Sequence, residues 1–168
     1  MVRDWRMKDA SSLAKYADNL KVWLNLRDGF PHPYHHSDAV AFLTRVAGQR
    51  PRTFFAIASP DEAIGGIGLS IGEDVHRFTA EMGYWLAEPF WNRGIMTEAI
   101  RKLTDEAFSR FGLNRIFAEP YATNPASARV LEKAGFEREG LLRANVVKDG
   151  RILDQWLFSR INPDPLKM

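Results

Sequence analysis

Trp91-Asn92-Arg93-Gly94-Ile95-Met96-Thr97-Glu98-Ala99 is a short polar turn, with one glycine, that runs straight into a long amphipathic stretch. Met96, Ala99, Ile100, Leu103, Ala107 and Phe111 recur at the three-and-four spacing of one helical face, while Arg101, Lys102, Asp105 and Arg110 fall elsewhere. The turn is therefore a helix N-terminus. Ahead of it, Arg77 to Leu86 reads as a strand rich in aromatic and apolar residues, closed by Glu88-Pro89. Strand, tight loop and helix in that order bring backbone N–H groups and the helix dipole to bear on an anion such as a phosphate.

Spacing separates the phosphate-binding patterns that compete for this turn. No stretch matches GxxxxGK[ST], and the turn lacks the three glycines of the dinucleotide fingerprint. A second motif lies downstream, in Asn124-Pro125-Ala126-Ser127-Ala128-Arg129-Val130-Leu131-Glu132-Lys133-Ala134-Gly135-Phe136. Asn124 suits an N-cap, Pro125 the first helical position and Gly135 the stop. Together the two blocks resemble the GNAT superfamily of N-acetyltransferases. Its pyrophosphate loop has Gln or Arg, two residues, Gly, one residue, then Gly or Ala, and its later helix carries an Asn, a Ser and a final Lys-x-Gly-Phe. Trp91 and Met96 depart from the loop pattern, but both suit the branch containing the ribosomal-protein N-terminal acetyltransferases, as does Thr97-Glu98-Ala99. The resemblance runs from Arg6 to about Arg160, in the order that the family requires.

Composition bounds the rest. A chain of 168 residues is the size of one domain, taken here as 1–168, and can bury a real core. The 45% hydrophobic and 26% charged content is that of an ordinary soluble protein. There is no cysteine, so disulfides, thiolate metal sites and a cysteinyl acyl-enzyme are excluded. Twenty-three basic against 21 acidic residues leave a formal charge of +2, not the field of a nucleic-acid binder. Neither a secretory leader nor a bilayer-length apolar run is legible, and the expectation is a cytoplasmic protein with no membrane partner.

Along the chain, the first residues through Met7 read as an edge strand, followed by a helix with Leu13, Ala14 and Ala17 on one side and a second over Leu20 to Leu26. Asp28 to His36, with two prolines and three histidines, cannot be regular structure. Ser37 then caps a helix that Gly48 ends. Strands follow at Thr53 to Ala58 and Ala63 to Ile71, and, after the central helix, at Arg115 to Glu119. Phe136 to Val146 and Arg151 to Arg160 flank Lys148-Asp149-Gly150, a hairpin turn. This order predicts a mixed α/β sheet with helices on both faces, mostly antiparallel, with one parallel pair across the helix crossover. The resemblance adds that this pair splays apart and that the pantetheine arm of the cofactor lies in the gap.

The resemblance implies acetyl-coenzyme A as co-substrate and no metal. Leu86, Arg93, Gly94, Ile95, Met96, Thr97 and Asn124 are the expected cofactor contacts. Glu81 is the expected base, although a strand glutamate paired with a neighbouring arginine would look the same, and Glu119 is the second choice. Ser127 matches the position that protonates or hydrogen-bonds the cofactor sulfur, and equally suits a helix start. Tyr121 is the weaker candidate for the acid. Three imidazoles, His32, His35 and His36, suggest a metal, but the proline-rich backbone gives no register that would align them. Phe30, His32, Tyr34 and His35 either line the acceptor cleft or only cover the core. The branch resemblance points to a protein N-terminal α-amine as acceptor. A small-molecule amine is the alternative, a non-catalytic acyl-coenzyme A sensor is the rival of another class, and a homodimer stays open.

Overall fold

A computed structural model describes residues 1–165. Its strands are β1 (Val2–Asp4), β2 (Phe54–Ala58), β3 (Ala63–Ile71), β4 (Thr79–Leu86), β5 (Arg115–Ala118), β6 (Glu137–Lys148) and β7 (Arg151–Ile161). The helices are α1 (Ala10–Ala17), α2 (Leu20–Trp23), α3 (His36–Gly48), α4 (Ile95–Phe111) and α5 (Pro125–Lys133). The strands form a seven-stranded sheet in the order β1-β2-β3-β4-β5-β7-β6. The β4–β5 pair is parallel and the β2–β3 and β6–β7 hairpins are antiparallel, as the sequence predicts; β1–β2 and β5–β7 are antiparallel too. The chain falls into two compact units: Met1–Gly68 with Tyr84–Ile95, and Leu69–Gly83 with the chain from Met96.

In the first unit, Ala10, Leu13, Ala17, Tyr34, Ala39 and Leu43 form a helical core, with Trp5, Phe30, Phe42 and Trp85 packed on it. Arg3 grips the buried Asp9 carboxylate with both guanidinium nitrogens, at 2.7 and 2.8 Å. That carboxylate also accepts from the Arg6 N–H at 2.9 Å, which turns the chain and stops β1 at Asp4 rather than Met7. The helix expected over Leu20 to Leu26 ends at Trp23. Asn19 caps it by accepting from the N–H groups of Lys21 and Val22. Asn25 and Leu26 then bond to carbonyls three residues back, the tighter winding that closes a helix. Ser37 does not cap α3: His35 takes the N-cap position, and the Asp38 carboxylate accepts from its N–H at 2.7 Å.

Residues 63–69 of β3 are buried without interruption. Gly65 has no room for a side chain, since a Cβ there would lie 2.5 Å from the Trp85 carbonyl oxygen and 3.1 Å from Leu86 Cα. The glycine lets the end of β4 cross tightly over β3.

In the second unit, α4 buries Met96, Thr97, Ala99, Ile100, Leu103, Thr104, Ala107 and Phe108. This stripe is wider than the one read from the sequence, with Phe108 rather than Phe111 at its far end. Strand β4 starts at Thr79 instead of Arg77, because Asp74–His76 make a tight turn with Asp74 at φ 52° and the Arg77 guanidinium donating to the Asp74 carbonyl. Hairpin β6–β7 closes through Asp149 and Gly150, both at positive φ (49° and 70°), the geometry that an Asp-Gly turn favours. Arg115 forks onto Glu139 at 2.6 and 2.7 Å, and the Ser159 hydroxyl donates to the same carboxylate. The Arg115 guanidinium, then Ser159, hold the Glu139 carboxyl down at about 2.

Gly65→Ala should destabilise the protein by about 1–3 kcal/mol, seen as a lower urea midpoint at unchanged slope; a midpoint like the parent's would show that the Trp85 carbonyl can retreat. Because the folded-state pKa of Glu139 is depressed, its contribution exists above the unfolded value and fades as pH falls toward about 2. At most about 1 kcal/mol is expected for so exposed a pair. The stability gap between the parent and Glu139→Gln should therefore narrow over that acid range in pH-resolved melts, and a constant gap would exclude the linkage.

Candidate active site

Within the first unit, the segment from Leu86 to Ile95 is fastened at several points. The Ala87 N–H donates to the Ile64 carbonyl at 2.8 Å. The Glu88 carboxylate accepts from Lys21 Nζ and, at 2.9 Å, from Asn19 Nδ2. Lys21 first, then Asn19, keeps that carboxyl below its ordinary range. Phe90 sets its ring edge-on to Tyr16 at 5.8 Å, and the Tyr16 hydroxyl donates to Glu62 at 2.6 Å. The Trp91 indole N–H donates to the Leu86 carbonyl at 2.7 Å, stapling the base of the loop, while Leu86 itself is buried.

Asn92 (φ 60°) and Gly94 (φ 76°) are both left-handed, and between them the chain swings into α4. Residues 91–94 are exposed, with the Arg93 guanidinium 5.5 Å from the Phe90 ring centre. Among the described residues, and leaving aside Gly94 and its two chain neighbours, no atom lies within 4 Å of where a Gly94 Cβ would stand, so open space adjoins the loop. The first-turn N–H groups, from Ile95 onward, have no acceptor within the helix itself. Met96 and Thr97 are buried.

The predicted acceptor residues divide. Phe30 packs against Tyr34 at 5.0 Å and Trp85 at 5.7 Å, and Tyr34 lies in the helical core. Burial pushes the Tyr34 phenol up to about 12, with Asp38 adding to it. His32 stacks on Trp23 at 5.4 Å, with Nδ1 3.7 Å from Asp18. His35 is exposed at the start of α3. Among the described residues no three His, Cys, Asp or Glu side chains are grouped to hold a metal ion, and no helix is long and apolar enough to cross a membrane.

Within the second unit, Glu81 is half-buried and belongs to the last pair of the parallel ladder, opposite Phe117. Strand β5 ends at Ala118, and the chain continues through Glu119, Pro120 and the buried Tyr121. The Asn124 N–H donates to the Tyr121 carbonyl at 2.8 Å, and Asn124 Oδ1 caps α5 by accepting from the Ser127 N–H at 3.2 Å. The predicted cap is present, and Ser127 sits half-buried in the first turn of α5. Sequence reasoning missed the Trp91 staple and the Glu88 anchor. The one available signal was Trp91 itself, a large donor-bearing side chain where the loop pattern has Gln or Arg.

The acetyltransferase (GNAT) domain family matches residues 1–137. The uncharacterized N-acetyltransferase p20 of Bacillus licheniformis is 31% identical over 162 residues, 94% of this chain and 90% of that protein. The ribosomal protein uS5-alanine N-acetyltransferase of Escherichia coli is 26% identical over 167 residues, 95% of this chain and 83% of that one. Among solved structures, Mycobacterium smegmatis RimJ in complex with CoA-disulfide aligns with a TM-score of 0.82 at 26% identity, covering 98% of this chain and 84% of that one. With the family's pattern running through most of its length and a relative of nearly equal extent, this chain belongs to the GNAT family of N-acetyltransferases.

Proposed function

We propose that residues 1–168 act as one acetyltransferase domain that moves an acetyl group from acetyl-coenzyme A to a protein N-terminal α-amine by direct attack in a ternary complex. The carrying observation is the entry to α4: an exposed loop with two left-handed residues, open space at Gly94, and a helix start behind it. The residues present suit a diphosphate. Main-chain N–H groups from Arg93 to Thr97 hold it, the Arg93 side chain adds positive charge, and no acidic residue lies between Pro89 and Thr97. Leu86 contributes main chain at the strand end, and Asn124 contributes its amide beside the cap.

When bound, acetyl-coenzyme A supplies an activated thioester. Glu81 accepts a proton from the acceptor amine, directly or through a water, so that the nitrogen lone pair is available. Ser127 presents its hydroxyl proton to the departing sulfur. Phe30, His32 and His35 shape the acceptor's approach, with Tyr34 holding Phe30 from the core side. A protein α-amine titrates at about 8, against about 10.4 for lysine, so removing its proton asks less of a carboxylate base. The acceptor named for the uS5-alanine relative supports the same reading.

Peptides with different first residues, polyamines, amino sugars and amino acids, each supplied with acetyl-coenzyme A in a thiol-release assay, test the acceptor. Turnover confined to peptides supports the proposal, and turnover confined to small amines overturns it. Calorimetric coenzyme A binding with no turnover on any amine would instead indicate a sensor. Gly94→Glu should weaken coenzyme A binding roughly a thousandfold, about 4 kcal/mol for two charges some 4 Å apart near a surface. Gly94→Gln carries the same backbone strain without the charge and should lose far less; equal losses would remove the diphosphate from this loop. Ser127→Ala should lower kcat by about 10²-fold, the lower end for a positioned proton donor, with the KM for acetyl-coenzyme A little changed. A loss seen only in that KM would make Ser127 a binding residue.

A further inference from the structure

Beyond the parallel ladder, the second unit contains a buried polar relay that the mechanism above does not use. Gln155 lies on β7, is 4% exposed, and forms an isolated antiparallel bridge with Tyr121. Its Nε2 donates to the Glu119 carbonyl at 2.6 Å, and its Oε1 accepts from Asn145 Nδ2 at 2.7 Å. Both ends of the amide are thus used, which fixes its orientation: the end facing Glu119 must be the donor.

Asn145 is aimed by a bulge. The β6–β7 register shifts between Leu142 and Val146, Ala144 sits at φ 51°, and the Ala144 N–H donates to the Asp154 carboxylate at 2.7 Å. A non-glycine residue is rarely held in that region, and bulges of this kind re-aim side chains. Asp154 also accepts, through its carbonyl, the Ala122 N–H at 2.9 Å, and the Trp156 N–H donates to the Pro120 carbonyl at 2.9 Å. The segment from Glu119 to Ala122 is therefore held along β7, and two residues on it turns through Asn124 to the Ser127 N–H.

We infer that Gln155 is a positioning residue for acetyl transfer: by donating to the Glu119 carbonyl, with Asn145 locking its amide, it sets the strap Glu119–Asn124 and hence the placement of Tyr121 and Ser127 toward the departing sulfur. This rests on the acetyltransferase reading above. Tertiary packing alone would be served by an apolar residue at position 155, whereas the relay specifies a donor pointing one way.

The test compares the parent, Gln155→Ala, Gln155→Glu and Asn145→Ala, using acetyl-coenzyme A with the best acceptor from the panel, calorimetric coenzyme A binding, and amide hydrogen exchange. Gln155→Ala should lower kcat roughly tenfold, short of the 10²-fold that a 1 Å misplacement can cost. Coenzyme A affinity should fall by no more than about tenfold, because the strap carries the single contact Asn124 and leaves the diphosphate loop untouched, and exchange should quicken at Ala122 and Asn124 but not in α4. Asn145→Ala should show the same pattern more weakly. Gln155→Glu puts a carboxylate oxygen against the Glu119 carbonyl when ionised and a donor when protonated. Its kcat relative to the parent at the same pH should therefore rise as pH is lowered, which loss of packing would not produce.

Unchanged kcat in folded Gln155→Ala, or a flat ratio for Gln155→Glu, overturns the inference while leaving the acetyltransferase reading intact. An inactive parent protein would fail that reading first, and exchange at Ala122 and Asn124 would still decide whether Gln155 holds the strap.

Discussion

The parallel ladder between β4 and β5 runs only from Thr79–Arg115 to Glu81–Phe117, although β4 itself continues to Leu86. Most of the candidate chemistry follows from that early stop. A strand that leaves its neighbour must satisfy its main-chain groups elsewhere. On its other edge, the far end of β4 lies close against β3, where Gly65 permits an approach that a side chain would block. On the β5 side, the Glu119 carbonyl takes its hydrogen from Gln155 instead. Glu81 stands at the last shared pair, opposite Phe117.

The second requirement is a stiff entry to α4. Two consecutive turns through left-handed residues would cost conformational entropy and strain if the loop were unsupported. Here Glu88 is bound by Asn19 and Lys21, Phe90 by Tyr16, and Trp91 by the Leu86 carbonyl, so the protein's own contacts fix the loop. Preorganisation of this kind spares binding energy that would otherwise order the loop. It also gives α1 and α2 a role beyond covering the sheet, because Tyr16, Asn19 and Lys21 all come from that region.

Much of this was legible in the residues. The three-and-four spacing after Gly94, the Asn124-Pro125 start and Gly135 stop of α5, and the Asp149-Gly150 turn are local rules, and each produced the element that it predicts. The length of the helix at Leu20 and the cap of α3 differ from what propensity predicts, because both rest on specific side-chain bonds. Asn19 and Asp38 act through side-chain bonds to particular N–H groups, and several polar residues nearby could have filled either role on propensity alone.

The sequence by itself determined the order of elements, the parallel crossover around α4 and the two motifs that mark the family, because these depend on residue type at fixed short spacings. Tertiary structure alone decided that Tyr34 is a core residue while His35 stays exposed, that Trp91 staples the loop on which the diphosphate reading rests, and that Asn145, Gln155 and Glu119 form one relay. Those contacts join residues as much as 36 positions apart. They depend on strand register and on a one-sided bulge, and neither periodicity nor propensity encodes the pairing of one strand's residue with another's.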